Sequence, residues 1–221
     1  MSGANVAFIH ASPAAIAPLV NYYAKQEPGW TISNLLDDGI MRLFRQGDEG
    51  AVEAGLLSLI ERAATRYGAE AALVTCSATT LDMMRRLELA APVPLVKIDL
   101  PMARAAVGAA RNIGVLVTFP PTVEPTRNLL SEVARQMGRE VRIAAELRPD
   151  ALDALLKGDS AAHDRILDEA ASALRDGGAE VIVLAQVSMA HLRTGLEQRL
   201  GIPVFSSLET SHRALRDALA R

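Results

Sequence analysis

The sequence contains a single cysteine, Cys76, among its 221 residues. One thiol cannot form an internal disulfide, and it cannot supply the several thiolates of a structural zinc site. Cys76 is therefore either a small buried apolar residue or a reactive group. The first residues also lack a basic segment followed by a long apolar stretch, which is the pattern of a secretion signal, so we expect a cytoplasmic protein.

Three further features are missing, and each excludes a class of function. No apolar run reaches the roughly 18 to 20 residues of a membrane helix, so we expect no membrane partner. The 23 basic and 26 acidic residues are scattered and give a net charge of −3, which is not the basic surface of a nucleic-acid-binding protein. No Gly-x-Gly-x-x-Gly or Walker-type loop occurs, and we expect a protein that works without a cofactor.

Short apolar segments alternate along the chain with longer segments of helical periodicity. This alternation is typical of βα units and predicts an α/β fold with mostly parallel sheets. The predicted strands are residues 6–9, 31–36, 71–75, 95–98, 113–117, 141–145, 181–185 and 203–206. The predicted helices are residues 16–24, 52–66, 81–89, 122–137, 161–175, 189–200 and 208–219.

Two pairs of segments indicate that the chain consists of two similar halves. Residues 5–13 align with residues 112–120, and residues 68–76 align with residues 178–186, at nearly the same offset. Any two buried strands resemble each other in composition, but Gly-Ala-Glu before a strand and Asn before a strand with Pro after it are more specific. We therefore expect two pseudo-symmetric α/β halves, residues 1–100 and 101–221, with the C-terminal helix able to pack on the first half.

The carboxyl ends of parallel strands carry the ligand sites of such sheets. In two facing halves, the strand ends predict an active-site cleft lined by four equivalent turns. These turns begin at His10, Cys76, Thr118 and Gln186.

The turn that begins at Cys76 contains small and hydroxyl residues, including Ser77 and Thr79, before a predicted helix. Such residues can cap a helix while its first N–H groups bind a carboxylate. A helix N-terminus also lowers the pKa of a thiol, because it favours the thiolate. We interpret Cys76 as a base or nucleophile beside a carboxylate site, and a buried structural cysteine is the alternative.

In the first half, His10 ends a predicted strand and is followed by Ser12, a candidate for substrate binding. A histidine in that position can act as an acid or base near neutral pH, so His10 is our candidate for the acid that complements Cys76. The alternative is a histidine that only forms structural hydrogen bonds.

In the second half, Thr118 and Thr122 can donate to a substrate oxygen or cap the following helix, and capping is the preferred interpretation for Thr122. Gln186 occupies the position that corresponds to Cys76. Its amide cannot usefully exchange a proton, but it can orient a carboxylate or stabilise an enolate oxygen. Ser188, two residues later, can bind substrate or cap a helix.

The sequence does not predict a metal site. Asp37 and Asp38 precede a glycine, which is typical of a turn, and no further ligands are spaced to complete a hard-cation site. The remaining histidines lack metal-ligand spacing and are interpreted as surface or packing residues: His163, His191 and His212.

Three segments together resemble the aspartate/glutamate racemase superfamily, which also includes hydantoin racemases, maleate isomerases and arylmalonate decarboxylases. They are VTCS at 74–77, IGVLVT at 113–118 and VLAQVSMA at 183–190. The resemblance covers nearly the whole chain in the same order. It implies two cysteines, one from each half, that act as paired base and acid without a cofactor, and a homodimeric assembly.

Cys76 matches the first of these cysteines, but Gln186 stands where the second is expected. The decarboxylase branch works with one thiol, although its cysteine resembles the second-half position. By resemblance, the residues that bind the substrate carboxylate are Ser77, Thr79, Thr118, Thr122 and Ser188.

These observations leave three functions open. The first is a racemase or isomerase acting at the carbon next to a carboxylate or carbonyl of a small acid. The second is a decarboxylase or C–C lyase, in which Cys76 delivers one proton. The third is a non-catalytic protein that binds small acids.

Overall fold

Eight strands form two separate parallel sheets in the computed structural model, which describes residues 3–220 of the chain. The described chain divides into two compact units. The first unit runs to Ile98 and also includes the segment from Leu208 onward, whereas the second unit comprises Asp99–Ser207.

The first unit contains a four-stranded sheet in the order β2-β1-β3-β4. Its strands are β1 (Asn5–His10), β2 (Thr31–Leu36), β3 (Ala71–Val74) and β4 (Leu95–Lys97). Its first four helices are α1 (Ile16–Gln26), α2 (Gly39–Gln46), α3 (Glu49–Tyr67) and α4 (Leu81–Ala90).

The second unit repeats this arrangement with the strand order β6-β5-β7-β8. Its strands are β5 (Asn112–Val117), β6 (Arg142–Leu147), β7 (Val181–Leu184) and β8 (Val204–Phe205). Its helices are α5 (Leu100–Ala109), α6 (Val123–Gln136), α7 (Pro149–Leu156), α8 (Ser160–Asp176) and α9 (Arg193–Leu200). Short 3-10 helices occupy Pro13–Ala15 in the first unit and Pro120–Thr122 and Val187–Leu192 in the second. The last helix, α10 (Ser207–Leu219), belongs to the first unit from Leu208 onward.

The predicted α/β fold with two similar halves is confirmed. In both halves the repeated Asn and Glu form the same pair of hydrogen bonds between neighbouring strands. The Glu70 N–H donates to Asn5 O at 2.7 Å, and the Glu180 N–H donates to Asn112 O at 2.8 Å. In return, each glutamate carboxylate accepts from the N–H of its asparagine, at 2.9 and 2.8 Å. The repeated Glu and Asn therefore join β1 to β3, and β5 to β7, at the amino ends of these strands.

Strands β3 and β7 are apolar throughout because helices cover both faces of each sheet. Every residue of β3 and β7 is buried. Helix α3 begins after the Asp48 cap, whose carboxylate accepts from Ala51 N–H at 3.0 Å, and packs a buried apolar face on the first sheet. It ends at Gly68, which adopts a left-handed φ of 66° that a side chain would disfavour.

All eight predicted strands exist, with boundaries that shift by one or two residues. Seven predicted helical segments are also present, but residues 189–200 begin as a 3-10 helix before becoming α9. Helices α2, α5 and α7, which have 8, 10 and 8 residues, were not predicted. Across residues 3–220, no helix is both long and apolar enough to cross a bilayer.

Candidate functional site

The turns after β1 and β3 lie side by side at the carboxyl edge of the first sheet. The two strands are parallel neighbours, with Ile9 opposite Val74, and the Thr75 N–H donates to Ile9 O at 3.0 Å. This register places the residues that follow His10 next to Thr75 and Cys76.

Cys76 is half-buried and opens a tight turn of its own. Its carbonyl accepts from the N–H of Thr79 at 3.3 Å and from the hydroxyl of Thr79 at 2.8 Å. Helix α4 starts only at Leu81, where the Thr80 hydroxyl caps it by accepting from Met83 N–H at 3.1 Å. Cys76 is therefore separated from the helix N-terminus, and the helix dipole affects its thiol less than the sequence predicted, because that field fades within one turn.

The hydroxyls of this edge differ in what they can still donate. The Thr79 hydroxyl proton is directed at Cys76 O, so that side chain shapes the turn and has no proton left for a carboxylate. Ser77 is buried in the same turn. The Ser12 hydroxyl accepts from Ala14 N–H at 3.3 Å and caps the 3-10 helix Pro13–Ala15.

His10 is completely buried and both ring nitrogens have partners. Nδ1 lies 2.9 Å from the Thr75 hydroxyl, and Nε2 lies 3.0 Å from Asn34 Oδ1. Burial lowers the pKa of His10 below its usual value, although the hydrogen bond with Asn34 opposes the shift. The neutral ring therefore donates from Nε2 to Asn34 and accepts the Thr75 hydroxyl at Nδ1, which links β1 to β2 and β3.

The second unit has the same edge, with Gln186 in the place of Cys76. The Met189 N–H donates to Gln186 O at 3.1 Å, which repeats the bond from Thr79 to Cys76. The Gln186 side-chain oxygen accepts from Thr118 N–H at 3.2 Å. Its Nε2 is buried and has no acceptor among residues 3–220.

The hydroxyls beside Gln186 are buried as well. Thr118 and Thr122 are 1% and 2% exposed. The prediction that Thr122 caps the following helix is wrong: it stands before α6, but its backbone is already helical and its side chain makes no capping hydrogen bond. Ser188 lies within the 3-10 helix Val187–Leu192, and its carbonyl accepts from His191 Nδ1 at 3.1 Å.

The sequence predicts no metal site at Asp37 or at the histidines outside the four turns, and the structure shows the contacts of these residues. Asp37 forms the predicted turn, in which its carboxylate accepts from Gly39 N–H at 3.0 Å. His163 is buried and His191 is exposed, as a packing residue and a surface residue are, but both also contact Asp164. Sequence spacing does not indicate this cluster, since α8 and the 3-10 helix meet only in the folded unit.

Asn34 was also missed as a partner of His10. The only signal in the sequence is a polar residue inside a predicted strand, at a position that pairs with Phe8 of β1.

Comparison with known proteins gives a consistent result. The family model described as Asp/Glu/Hydantoin racemase matches residues 29–215. A hydantoin racemase from Paenarthrobacter aurescens is 26% identical over 175 residues, which are 78% of this chain and 71% of that protein.

Two solved structures show a similar fold. Glutamate racemase from Francisella tularensis, determined in complex with D-glutamate, has a TM-score of 0.78 at 10% identity, covering all of this chain and 82% of that one. Glutamate racemase isoform RacE1 from Bacillus anthracis has a TM-score of 0.74 at 15% identity, covering all of this chain and 83% of that one. With a family model matched over most of its length, the chain belongs to the Asp/Glu/hydantoin racemase family.

Proposed function

We propose that this chain is a cofactor-independent racemase or isomerase that acts at the carbon next to a carboxylate or carbonyl of a small acid, with Cys76 as base or nucleophile. One observation carries the proposal. In a chain of the racemase family, the only thiol is half-buried at the carboxyl end of a central parallel strand, which is where such sheets bind their ligands.

The proposed reaction begins with removal of a proton from that carbon by the Cys76 thiolate, and it ends when a proton returns to the same carbon, on the same face from the Cys76 thiol or on the opposite face from solvent. The electrons left behind spread onto the oxygens of the adjacent carboxylate or carbonyl, as in an enediolate. Hydrogen-bond donors aimed at those oxygens lower the barrier, because they bind the developing charge more strongly than the ground state.

Gln186 is our candidate for a donor to such an oxygen. Its Oε1 is already bonded to Thr118 N–H, which orients the amide, and its buried Nε2 has no acceptor within residues 3–220. A carboxylate only accepts hydrogen bonds and would satisfy this group. The hydroxyls of Thr118 and Thr122 are candidates for the same task.

We assign His10 a positioning role rather than proton exchange with substrate. Its ring has no exposed surface, and its nitrogens are bonded to Thr75 and Asn34. Because Thr75 immediately precedes Cys76, this bond fixes the backbone from which the thiol projects.

The proposal is tested with enantiopure amino acids, hydantoins and small dicarboxylates, by following optical rotation. Racemisation of one of these compounds at constant mass, lost in Cys76→Ser and in Cys76→Ala with an unchanged circular dichroism spectrum, supports the proposal. Binding of an acid without any turnover of the bound compound contradicts it and favours the non-catalytic alternative.

A second candidate is a decarboxylase or C–C lyase, and the observation that favours it is Gln186 itself. The same turn that carries the thiol in the first unit carries an amide in the second, so only one thiol is available to deliver a proton. A product lighter than the substrate identifies this reaction. Gln186→Cys then supplies the second thiol and is expected to add slow racemisation, whereas a lyase that needs one thiol gains nothing.

A further inference from the structure

We propose that His163, Asp164 and His191 form a binding site for a divalent transition-metal ion of the zinc type. His163 and Asp164 lie in α8, and His191 lies near the end of the 3-10 helix Val187–Leu192, all within the second unit. Their ligand atoms all lie within 4.8 Å of one another.

The hydrogen bonds of His191 fix where its proton lies. Nδ1 is 3.1 Å from the carbonyl oxygen of Ser188, which only accepts, so Nδ1 carries the proton in the neutral ring. Nε2 then presents a lone pair, and it lies 2.8 Å from Asp164 Oδ1. A histidine whose second nitrogen donates to a backbone carbonyl is the usual arrangement of a metal ligand.

The Nε2 lone pair of His191 and the Asp164 carboxylate oxygen, 2.8 Å apart, repel each other unless a positive charge lies between them. Asp164 is ionised at neutral pH, and its Oδ1 is also 2.8 Å from Nδ1 of His163. The two ring nitrogens and the carboxylate oxygen lie close enough together for one cation to contact all three.

Two imidazoles and one carboxylate are the ligands of open zinc sites, whereas magnesium and calcium prefer oxygen alone. Ligands about 2.1 Å from a tetrahedral zinc ion lie roughly 3.4 Å apart, so the present 2.8 Å contacts must widen and the two ring nitrogens must adopt the same separation. The His191 and Asp164 side chains are 50% and 38% exposed, and can therefore move outward and leave the fourth position to water.

This site goes beyond the proposed function, because it does not involve the thiol. His191 belongs to the 3-10 helix that follows Gln186, and an ion would tie this helix to α8. Since the unfolded chain does not hold the three ligands together, binding is expected to stabilise the native state.

The test is calorimetric titration of the untagged, chelator-treated protein with Zn²⁺. We expect one ion per chain, and at least a tenfold weaker affinity in Asp164→Asn and in His191→Gln. Asp168→Asn is the matched control, because Asp168 lies one turn further along α8 and pairs with Arg199 instead. Cys76→Ser must bind Zn²⁺ as the wild type does, which shows that the thiol is not the ligand, and Mg²⁺ must not compete.

Thermal unfolding followed by circular dichroism gives a second measurement. Zn²⁺ should raise the melting temperature of the wild type and of Asp168→Asn, but not that of His191→Gln, whose half-exposed position makes loss of the fold unexpected. Absence of stoichiometric binding, or equal binding by all variants, overturns the proposal.

Discussion

At the residue scale, a buried hydrogen-bond network around His10 stabilises the carboxyl edge of the first sheet, where Cys76 lies. The side chain of His10 in β1 is hydrogen-bonded to Asn34 in β2 and to Thr75, which directly follows β3. The Thr75 hydroxyl is also 3.0 Å from Ile9 O. A single hydroxyl proton cannot serve both His10 and Ile9. The state of the ring therefore decides which of the two accepts it.

The pKa of His10 leads to a prediction about stability and pH. Burial lowers the pKa in the folded protein, whereas the unfolded chain titrates near 6.5. Below this pH the unfolded state binds the extra proton, so acid favours unfolding by up to about 1.4 kcal/mol per pH unit. We expect the loss of unfolding free energy between pH 7.5 and 5.5, measured in urea, to be smaller in His10→Gln than in the wild type.

The His10 variant is also expected to be less stable than the wild type at pH 7.5, by about 1–3 kcal/mol, because Asn34 and Thr75 lose a buried partner. Equal pH dependence in the two proteins would show that His10 is not held neutral.

A second residue-scale prediction concerns the reactivity of Cys76. If Cys76 is the proposed base, its thiol must ionise readily, so we expect it to be alkylated faster at pH 7 than glutathione even though α4 begins only at Leu81. The measurement is the rate of reaction with iodoacetamide, followed by mass spectrometry. A rate at or below that of glutathione would remove the argument for an activated thiol.

At the element scale, close packing of α8 on the second sheet depends on a missing side chain. A Cβ added to Gly114 of β5 would lie 2.9 Å from Ile182 Cδ1, 3.0 Å from Ala179 Cβ and 3.2 Å from Leu174 Cβ. The corresponding position of the first half is Ala7, which is buried in a core cluster that includes residues of α3.

Gly114→Ala is therefore expected to lower the free energy of unfolding by about 1–3 kcal/mol, since the helix must shift to admit the methyl group. Gly195→Ala is the control, because that glycine lies in α9 with no atom within 4 Å of an added Cβ. There alanine should stabilise the helix by up to about 1 kcal/mol. Equal effects of the two substitutions in urea unfolding would contradict this packing.

The elements also show what the sequence could and could not predict. The buried strands and long amphipathic helices were predicted because their periodicity is local, and the repeat of Asn5 and Glu70 in Asn112 and Glu180 revealed the duplication. Contacts between distant segments, such as His10 with Asn34 or Asp164 with His191, leave no local pattern. The Cys76 turn was placed correctly after β3, but not its distance from α4, because Ser and Thr suit turns and caps alike.

At the scale of the whole molecule, the homodimer stays a prediction. Large apolar side chains that remain exposed include Leu89 at 89% and Leu156 at 52%. Burying such groups in an interface would be favourable, so we expect light scattering to give twice the mass of the chain. A monomeric mass across a wide concentration range would contradict this expectation without affecting the role of Cys76.

The central claim is that Cys76 exchanges a proton with the substrate, and turnover in D₂O tests it most directly. Once a substrate is known, the wild type should place solvent deuterium on the reacting carbon, and Cys76→Ala should abolish this incorporation with its circular dichroism spectrum unchanged. A racemase places this deuterium in both enantiomers of the product, whereas delivery from one face alone points to a reaction with a single thiol, because the turn equivalent to that of Cys76 carries the amide of Gln186. Full deuterium incorporation by a folded Cys76→Ala variant would contradict the account.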